Sequence, residues 1–400
     1  MRILFVADGR SPTALSWIDY FVKGGHEIHL ASTYDCNPVL LLASLHFVPV
    51  AYSSAATANP ANRSGLRRVL PTQLRTELRN WIGPSTLGRA SRSLRAIIEE
   101  TKPDLIHAMR IPYEGMLAAR AKPKMPLVVS VWGNDFTLHA KSNPFMAMAT
   151  RRTMQAATAL HSDTQRDLRL ASSYGFDEKK PGLVIPGNGG IRSEIFYPLP
   201  DETDEGKTVA RLRVINPRGL RAYVRNDVFF QAIPKVLVQR PEVRFYCPSM
   251  EGEPEAQRWV DKLGIGDYVS LMPKLGPRAL ADSYHSAQVM VSPSTHDGTP
   301  NSLLEAMACG TFPVCGDLES IREWITHGEN GLLVNPTSPK LLSDAIVWAL
   351  KDNAMRKRAA KINAQIVAER ADYKQNMEQA EIFYQTLLSR KNPAGLQDLF

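Results

Sequence analysis

His296-Asp297-Gly298-Thr299-Pro300-Asn301-Ser302-Leu303-Leu304-Glu305-Ala306-Met307-Ala308-Cys309-Gly310 is the stretch from which the fold is read. Its Gly-Thr-Pro-Asn-Ser turn opens a helix and sets Asp297 eight residues before Glu305. Upstream, Val289-Met290-Val291-Ser292-Pro293 is an apolar run entering a loop, the pattern of a buried parallel strand. Strand, loop and helix N-terminus together form the place where an α/β protein binds a phosphorylated ligand, because first-turn N–H groups and the helix dipole favour an anion. Glu305, one turn into the helix, is placed to accept hydrogen bonds from sugar hydroxyls. Asp297, in the loop, is placed nearer a reacting group. The plainer reading is that both carboxylates only complement the dipole.

Working outward, the same rhythm covers the chain. Ile3–Ala7 reads as a strand ending at the Asp8-Gly9 turn, followed by a helix over Ala14–Val22 that closes at Gly24-Gly25. Glu27–Ser32, Leu105–Ala108, Leu127–Val131, Ala159–Ser162 and Gly182–Pro186 read as further strands. A proline-flanked acidic stretch, residues 197–206, reads as a linker. The alternation then restarts with strands at Thr208–Ile215, Val243–Cys247, Tyr268–Leu271, Val289–Ser292, Thr311–Cys315 and Gly331–Val334. Helices are expected at Asp227–Gln239, Pro254–Leu263, Arg278–Ser286, Ser302–Ala308, Glu319–Thr326 and Pro339–Lys351. A βαβ rhythm of this kind implies parallel sheets with helices on both faces. The expected architecture is α/β, with two Rossmann-like domains in series, residues 1–198 and 207–370, facing each other across a cleft. An apolar helix over 371–390 either caps the second domain or crosses back to the first.

A length of 400 residues favours two domains, and 44% hydrophobic with 22% charged residues is a globular composition. The net charge of +8 suits anionic partners without choosing among nucleotides, nucleic acid and membrane. Cys36, Cys247, Cys309 and Cys315 form no Cys-x-x-Cys pair, which points to reduced thiols, no zinc site and a cytoplasmic protein. The N-terminus reads as a strand rather than a signal peptide, and no segment is long enough to span a bilayer. No Gly-x-Gly-x-x-Gly follows the first strand, which argues against a dinucleotide cofactor.

Three further clusters carry chemistry. Arg218, Arg221 and Arg225 lie in one loop after the first strand of the second half, where they would neutralise a diphosphate or simply form a solvated basic loop. Trp132-Gly133-Asn134-Asp135 follows a first-half strand. Trp132 suits stacking on a sugar ring and Asp135 suits an acceptor hydroxyl, unless the segment is a plain Asn-Asp turn. Gly9 lies at the corresponding end of the first strand. Arg63–Arg95 contains Arg63, Arg67, Arg68, Arg75, Arg79, Arg89, Arg92 and Arg95 against the single acid Glu77, with Leu and Trp near helical spacing. It reads either as an amphipathic helix of the first domain or as a helix on an anionic membrane surface. Nucleic acid is disfavoured, since no recognisable reader module accompanies the charge.

The chain resembles glycosyltransferase family 4, whose members have the two-domain GT-B fold. Asp297-x7-Glu305 resembles the family's Glu-x7-Glu motif. EAMACGTFPVCG, HGENGLLVNP (His327–Pro336) and VIPGNGG (Val184–Gly190) match in type and order, and the likeness runs from Met1 to about Leu388. The resemblance implies a retaining, metal-independent transfer of a sugar from a nucleotide diphosphate sugar to a hydroxyl acceptor, in cell-envelope glycolipid or polysaccharide synthesis. Glu305 would bind the donor ribose, with Asp297 beside the donor sugar. Gly298, Thr299, Asn301, Ser302 and Leu303 would present backbone N–H groups. Arg218 and Arg225, with Arg221 as a substitute for either, would hold the diphosphate. The base would lie near Pro273 and Lys274, and the tail helix would return to the first domain. Two departures stand out: Asp297 is one methylene shorter than the usual Glu, and Trp132 replaces a His that normally touches the donor sugar, with Asn134 or Asp135 as stand-ins. The competing readings are a sugar-nucleotide epimerase or hydrolase on the same fold, and a non-catalytic nucleotide-sugar-binding protein.

Overall fold

The computed structural model describes residues 1–50, 72–199 and 212–391. It divides into two units, Met1–Gly189 with Lys374–Phe400, and Gly190–Tyr373. The expected boundary near residue 198 therefore lies several residues late. Ile191 and Phe196 belong to the second unit because they pack in its core beside Tyr284 and Leu303.

The first unit carries seven parallel strands: β1 (Arg2–Ala7), β2 (Glu27–Ser32), β3 (Ser44–Phe47), β4 (Leu105–Ala108), β5 (Leu127–Val131), β6 (Ala159–Ser162) and β7 (Gly182–Val184). Their spatial order is β3-β2-β1-β4-β5-β6-β7. The central strands are buried on both faces, which is why they read as predominantly apolar runs, interrupted by His107 in β4 and Ser130 in β5. Leu4, Val6, Ile106, Ala108, Val129 and Val131 face one core, shared with the helix Thr72–Thr101 through Leu87, Ala90, Leu94 and Ile97. On the other side, Phe5 meets Phe21 of the helix Pro12–Lys23, and Phe21 stacks on Tyr384 of the tail helix Tyr373–Lys391 with ring centroids 4.9 Å apart.

The tail is tied down by a buried polar chain. The Trp17 indole donates to the Tyr384 hydroxyl at 3.0 Å, and that hydroxyl meets Nδ1 of His107. His107 Nε2 and His161 Nδ1 flank the Ser130 hydroxyl at 2.7 and 2.8 Å, while His161 Nε2 reaches the Ile185 carbonyl. Burial and the neighbouring His161 hold His107 well below the usual imidazole pKa, and burial lowers His161 to about 4. Both rings are therefore neutral at physiological pH.

The second unit has β8 (Arg213–Ile215), β9 (Arg244–Cys247), β10 (Val269–Leu271), β11 (Val289–Ser292), β12 (Phe312–Gly316) and β13 (Leu332–Val334), ordered β10-β9-β8-β11-β12-β13 and all parallel. Val214, Val289, Val291 and Val314 point to one core layer, and Ile215, Met290 and Cys315 to the other. This is the doubly wound order, and it reverses between β8 and β11. In the first unit the reversal lies between β1 and β4.

The strand expected from Thr208 is described only from Arg213, and residues 208–211, like residues 200–206 of the linker, lie outside the described residues. Of the basic region, Arg63, Arg67 and Arg68 lie outside them, as do the side chains of Arg75 and Arg79. Arg89, Arg92 and Arg95 are exposed on the helix Thr72–Thr101. The inner face of that helix is spent on the core, so its structure is that of an amphipathic domain helix. Arg95 also donates to the carbonyls of Arg120 and Ala121, closing the end of the helix Met116–Ala121. No described helix is long and apolar enough to cross a membrane.

Candidate active site

The crevice at the β8/β11 reversal is built from two loops that pair with each other. Val224 bridges Ser294, Thr295 N–H donates to the Tyr223 carbonyl at 2.9 Å, and Arg225 N–H donates to the Pro293 carbonyl at 3.1 Å. Asn226 braces the first loop by donating to the Gly219 carbonyl and meeting Asn216 at 3.1 Å. Gly219 has φ +60°, a turn open to glycine. Gly316, at the end of β12, is also obligatory in kind: a Cβ there would strike the Ser294 carbonyl. The chain before Asp297 can therefore lie close against β12.

Within this frame Arg218 is the hub. Its Nη2 donates to Asp297 Oδ2 at 2.7 Å, its Nη1 to the Ser302 hydroxyl at 3.2 Å, and its buried Nε has no partner. The two side chains are 10% and 12% exposed, so the pair is nearly desolvated. Burial is the largest single influence and works against the guanidinium charge, but Asp297 together with the Tyr223, Tyr284 and Cys315 side chains lifts the Arg218 pKa above its ordinary value. Ser320 donates to the Asp297 carbonyl at 2.7 Å and fixes the backbone beneath the carboxylate.

Asp297 leads through Gly298 and Thr299 into the helix Asn301–Ala308. Asn301 and Ser302 hold the first-turn N–H positions that have no carbonyl four residues back. The Leu303 N–H already donates to the Pro300 carbonyl, and its side chain is fully buried in the core, so Leu303 serves packing. Thr299 accepts from the Trp324 indole at 2.9 Å. Glu305 meets the buried Tyr284 hydroxyl at 3.2 Å. Burial pushes the Glu305 carboxyl up to about 7, against the pull of Tyr284 and Arg218. The Tyr284 phenol is raised well above its usual range by burial and by Glu305.

The other two arginines are engaged differently. Arg225 forms a bidentate pair with Asp227 at 2.8 and 2.7 Å, which raises its own pKa and lowers that of Asp227. Arg221 is exposed and its Nε donates to the Arg218 carbonyl at 3.1 Å. Only Arg218 of the three is paired with Asp297. Pro273 and Lys274 are exposed just beyond β10, and the Pro273 carbonyl accepts from Ser249 N–H at 3.1 Å.

In the first unit, Asp135 departs from the expected role at an acceptor hydroxyl. Its carboxylate is fully buried: Oδ2 accepts the N–H groups of Ile111 and Trp132 at 3.0 and 3.1 Å, and Oδ1 accepts from Arg110 at 3.3 Å. It clamps the loop after β4 to the loop after β5. Burial raises its carboxyl to about 6, against Arg110 and the two N–H groups. Arg110 also reaches the Asn134 side-chain oxygen at 3.4 Å and lies 5.4 Å from the Trp132 ring centre. Its φ of +107° is costly for a non-glycine residue, as happens where function holds a backbone in place. Trp132 is half-buried, with its indole nitrogen unpartnered. Gly9 donates its N–H to the Ser32 hydroxyl at 3.1 Å, and a Cβ there would collide with Cys36. Arg110, Tyr284 and Trp324 were not singled out from the sequence, because nothing local marks a lone Arg after a strand, an aromatic inside an amphipathic helix or an aromatic in the turn that follows the short helix Glu319–Arg322. Arg110 lies two residues past the end of β4, at the edge where the sheet order reverses, and that position was the available signal.

The comparisons agree with this layout. The family model described as "Glycosyl transferase 4-like" matches residues 2–164, and "Glycosyl transferases group 1" matches residues 219–352. D-inositol 3-phosphate glycosyltransferase of Thermobispora bispora is 29% identical over 191 residues, 43% of each chain. The chain spans about half the length of the first curated relatives it matches. Among solved structures, sucrose-phosphate synthase from Thermosynechococcus elongatus has a TM-score of 0.75 at 16% identity, covering 98% of this chain and 100% of that one. Anabaena HepE in complex with UDP has a TM-score of 0.70 at 15% identity, covering 96% and 100%. At those identities the likeness is one of fold. With a 4-like domain followed by a group 1 domain, on two doubly wound parallel sheets, the chain belongs to the family 4 glycosyltransferases of GT-B fold.

Proposed function

We propose that the protein transfers a sugar, with retention and without a metal, from a nucleotide diphosphate sugar to a hydroxyl acceptor. The observation that carries this reading is the Arg218–Asp297–Ser302 cluster at the β8/β11 reversal, one helical turn from Glu305. Arg218, fixed and nearly desolvated, supplies the charge that a leaving diphosphate needs, with Arg225 and Arg221 at the same loop. Glu305 accepts from the ribose hydroxyls, and Asp297 faces the sugar. The leaving phosphate oxygen takes the acceptor's proton, so no side chain has to be a strong base. On this reading Trp132, Asn134 and Arg110 form the acceptor-side surface of the first unit, and Asp135 positions them. The names of the curated relatives, which act on an inositol phosphate, and of the solved neighbour holding UDP support this donor and acceptor chemistry.

The test incubates the protein with UDP-, GDP- and ADP-glucose, with and without sugar and lipid-linked acceptors. Acceptor-dependent release of nucleotide is expected, together with a donor-specific rise in the unfolding temperature. Free sugar released regardless of acceptor supports the hydrolase reading, and stabilisation without turnover supports the binding-protein reading.

A cytoplasmic protein peripheral to an anionic membrane, in envelope glycolipid or polysaccharide synthesis, is the second reading. Trp81 and Phe145 favour it: both are exposed, their ring centroids lie 6.1 Å apart, and no acid occurs in residues 81–98 or 141–156, where Arg89, Arg92 and Arg152 are exposed. Salt-sensitive flotation with phosphatidylglycerol vesicles is expected, lost in Trp81→Ser/Phe145→Ser. Equal flotation with phosphatidylcholine alone overturns it.

A further inference from the structure

The segment between β12 and β13 carries a tryptophan that the mechanism above does not use. Trp324 is 6% exposed and sits where three side chains of the second unit, Thr299, Arg370 and Asn330, meet it. Its indole N–H donates to the Thr299 hydroxyl at 2.9 Å. The Arg370 guanidinium lies 4.3 Å over its ring, and the same guanidinium donates to the neighbouring Glu323 carbonyl at 2.8 Å. The Trp324 carbonyl accepts from Asn330 at 3.0 Å. Asn330 is itself locked by Thr326 N–H at 2.7 Å and by a reciprocal pair with Asn363 at 2.8 and 3.0 Å. These contacts lie within normal hydrogen-bond distance, and both asparagines are buried.

Such a bracing is more than a buried indole needs. A tryptophan N–H is satisfied by any carbonyl, yet this one is aimed at a side chain of the turn between Asp297 and the helix Asn301–Ala308. Indole is a donor only, so the Thr299 oxygen must accept on that side and its own proton points elsewhere. That hydrogen bond restrains the Thr299 rotamer and turns its hydroxyl proton away from the indole. The same segment also supplies the Ser320 hydroxyl that holds the Asp297 carbonyl.

We infer that Trp324 is a positioning residue for the donor turn: through Thr299, it holds Gly298–Ser302 in the shape that receives the sugar and phosphate. Arg370 and Asn330 hold the indole in turn. The inference rests on the nucleotide-sugar reading of that turn. It assigns Trp324 to ground-state and transition-state donor binding together, with no part in proton movement.

Trp324→Phe keeps an aromatic face under Arg370 and removes only the N–H. Binding is measured by calorimetry with whichever of UDP-, GDP- and ADP-glucose the wild-type protein binds tightest. The expected result is a fivefold to thirtyfold weaker donor, about the effect of one lost buried hydrogen bond, with donor KM raised and kcat nearly unchanged. Thr299→Val removes the other end of the same bond and should weaken the donor likewise. The double variant should be little worse than either single one, whereas Thr299→Ser should bind almost as the wild type. A wild-type protein that binds no nucleotide sugar overturns the functional reading and this inference with it. A wild type that binds, with a folded Trp324→Phe that binds equally well or with additive losses in the double variant, overturns the inference alone. If Trp324→Phe fails to fold, Thr299→Val against Thr299→Ser decides: equal affinities would overturn it.

Discussion

Arg218 and Asp297 meet at 2.7 Å with both side chains about nine-tenths buried, across the reversal of the second sheet. A pair so placed is held by geometry more than by net energy, since desolvation offsets much of the attraction. Removing one partner strands the other charge. Arg218→Met and Asp297→Leu are each expected to destabilise the protein by about 3 kcal/mol or more, whereas the double variant should recover most of that loss. Neither the singles nor the double should turn over donor. Denaturant titrations of the three variants check this, and a double variant as unstable as the sum of the singles would contradict it.

Glu305 makes donor binding pH-dependent. Its carboxyl is raised to about 7 by burial, from an ordinary 4.5. The native state therefore holds more protons than the unfolded chain between those values, and stability falls as pH rises through that window. By pH 8 the ionised carboxylate costs about 3 kcal/mol. Glu305→Gln should thus raise the unfolding temperature by a few degrees at pH 8 and change it little at pH 4.5. Ribose hydroxyls need the ionised form, so wild-type donor affinity should decline as pH falls below 7, and binding near neutrality should release a proton. Calorimetry in two buffers of different ionisation enthalpy reads that proton directly. A pH-independent donor affinity between 6 and 8 would remove Glu305 from the site.

The two sheets were legible because strands buried on both faces leave predominantly apolar runs such as Leu127–Val131 and Val289–Ser292. β3 was not, since Ser44–Phe47 is an edge strand with alternating exposure and a histidine, His46, among its four residues. The helix Asn353–Arg370 was also missed: it is largely polar, with Met355, Ala359, Asn363 and Val367 as its few buried positions. In the candidate site, Asp297, Ser302, Glu305 and Arg218 were legible as neighbours from turn chemistry and charge within one sheet edge, and the structure brings Arg218, Asp297 and Ser302 into contact. Asp135 was assigned a different role because sequence gives a residue's chemistry but not the direction it faces. Its partners, the N–H of Ile111 and the Arg110 side chain, come from another strand-end loop.

That direction gives Asp135 a separable effect. Asp135→Asn keeps an oxygen for the two N–H groups but turns an amide donor toward Arg110. Arg110 and Trp132 should then lose their fixed orientation while the donor site of the second unit is untouched. Steady-state kinetics should show acceptor KM raised about tenfold, with donor affinity within twofold of wild type. The tenfold figure corresponds to about 1.4 kcal/mol of lost binding. A change confined to the donor would show that the clamp does not serve the acceptor side.

Tyr384 tests the tail. Its hydroxyl is shared by the Trp17 indole and His107 Nδ1, both fully buried. Phe21 stacks on its ring, so Tyr384→Phe keeps the packing and removes one oxygen. Two buried polar groups lose their partner at once, and a buried polar group left unsatisfied costs about 1–3 kcal/mol. The expected loss of stability is therefore about 2–5 kcal/mol, large for one atom. Nearby His107 is already neutral, and its ionisation at acid pH would leave the imidazole with two N–H donors facing Ser130 and the Tyr384 oxygen. Wild-type protein should accordingly lose amide protection in the tail helix at acid pH, and His161, which shares Ser130 with His107, charges at about pH 4. Hydrogen exchange resolved along Tyr373–Lys391 checks both, and protection in Tyr384→Phe equal to that of the wild type would mean that the apolar contacts alone hold the tail.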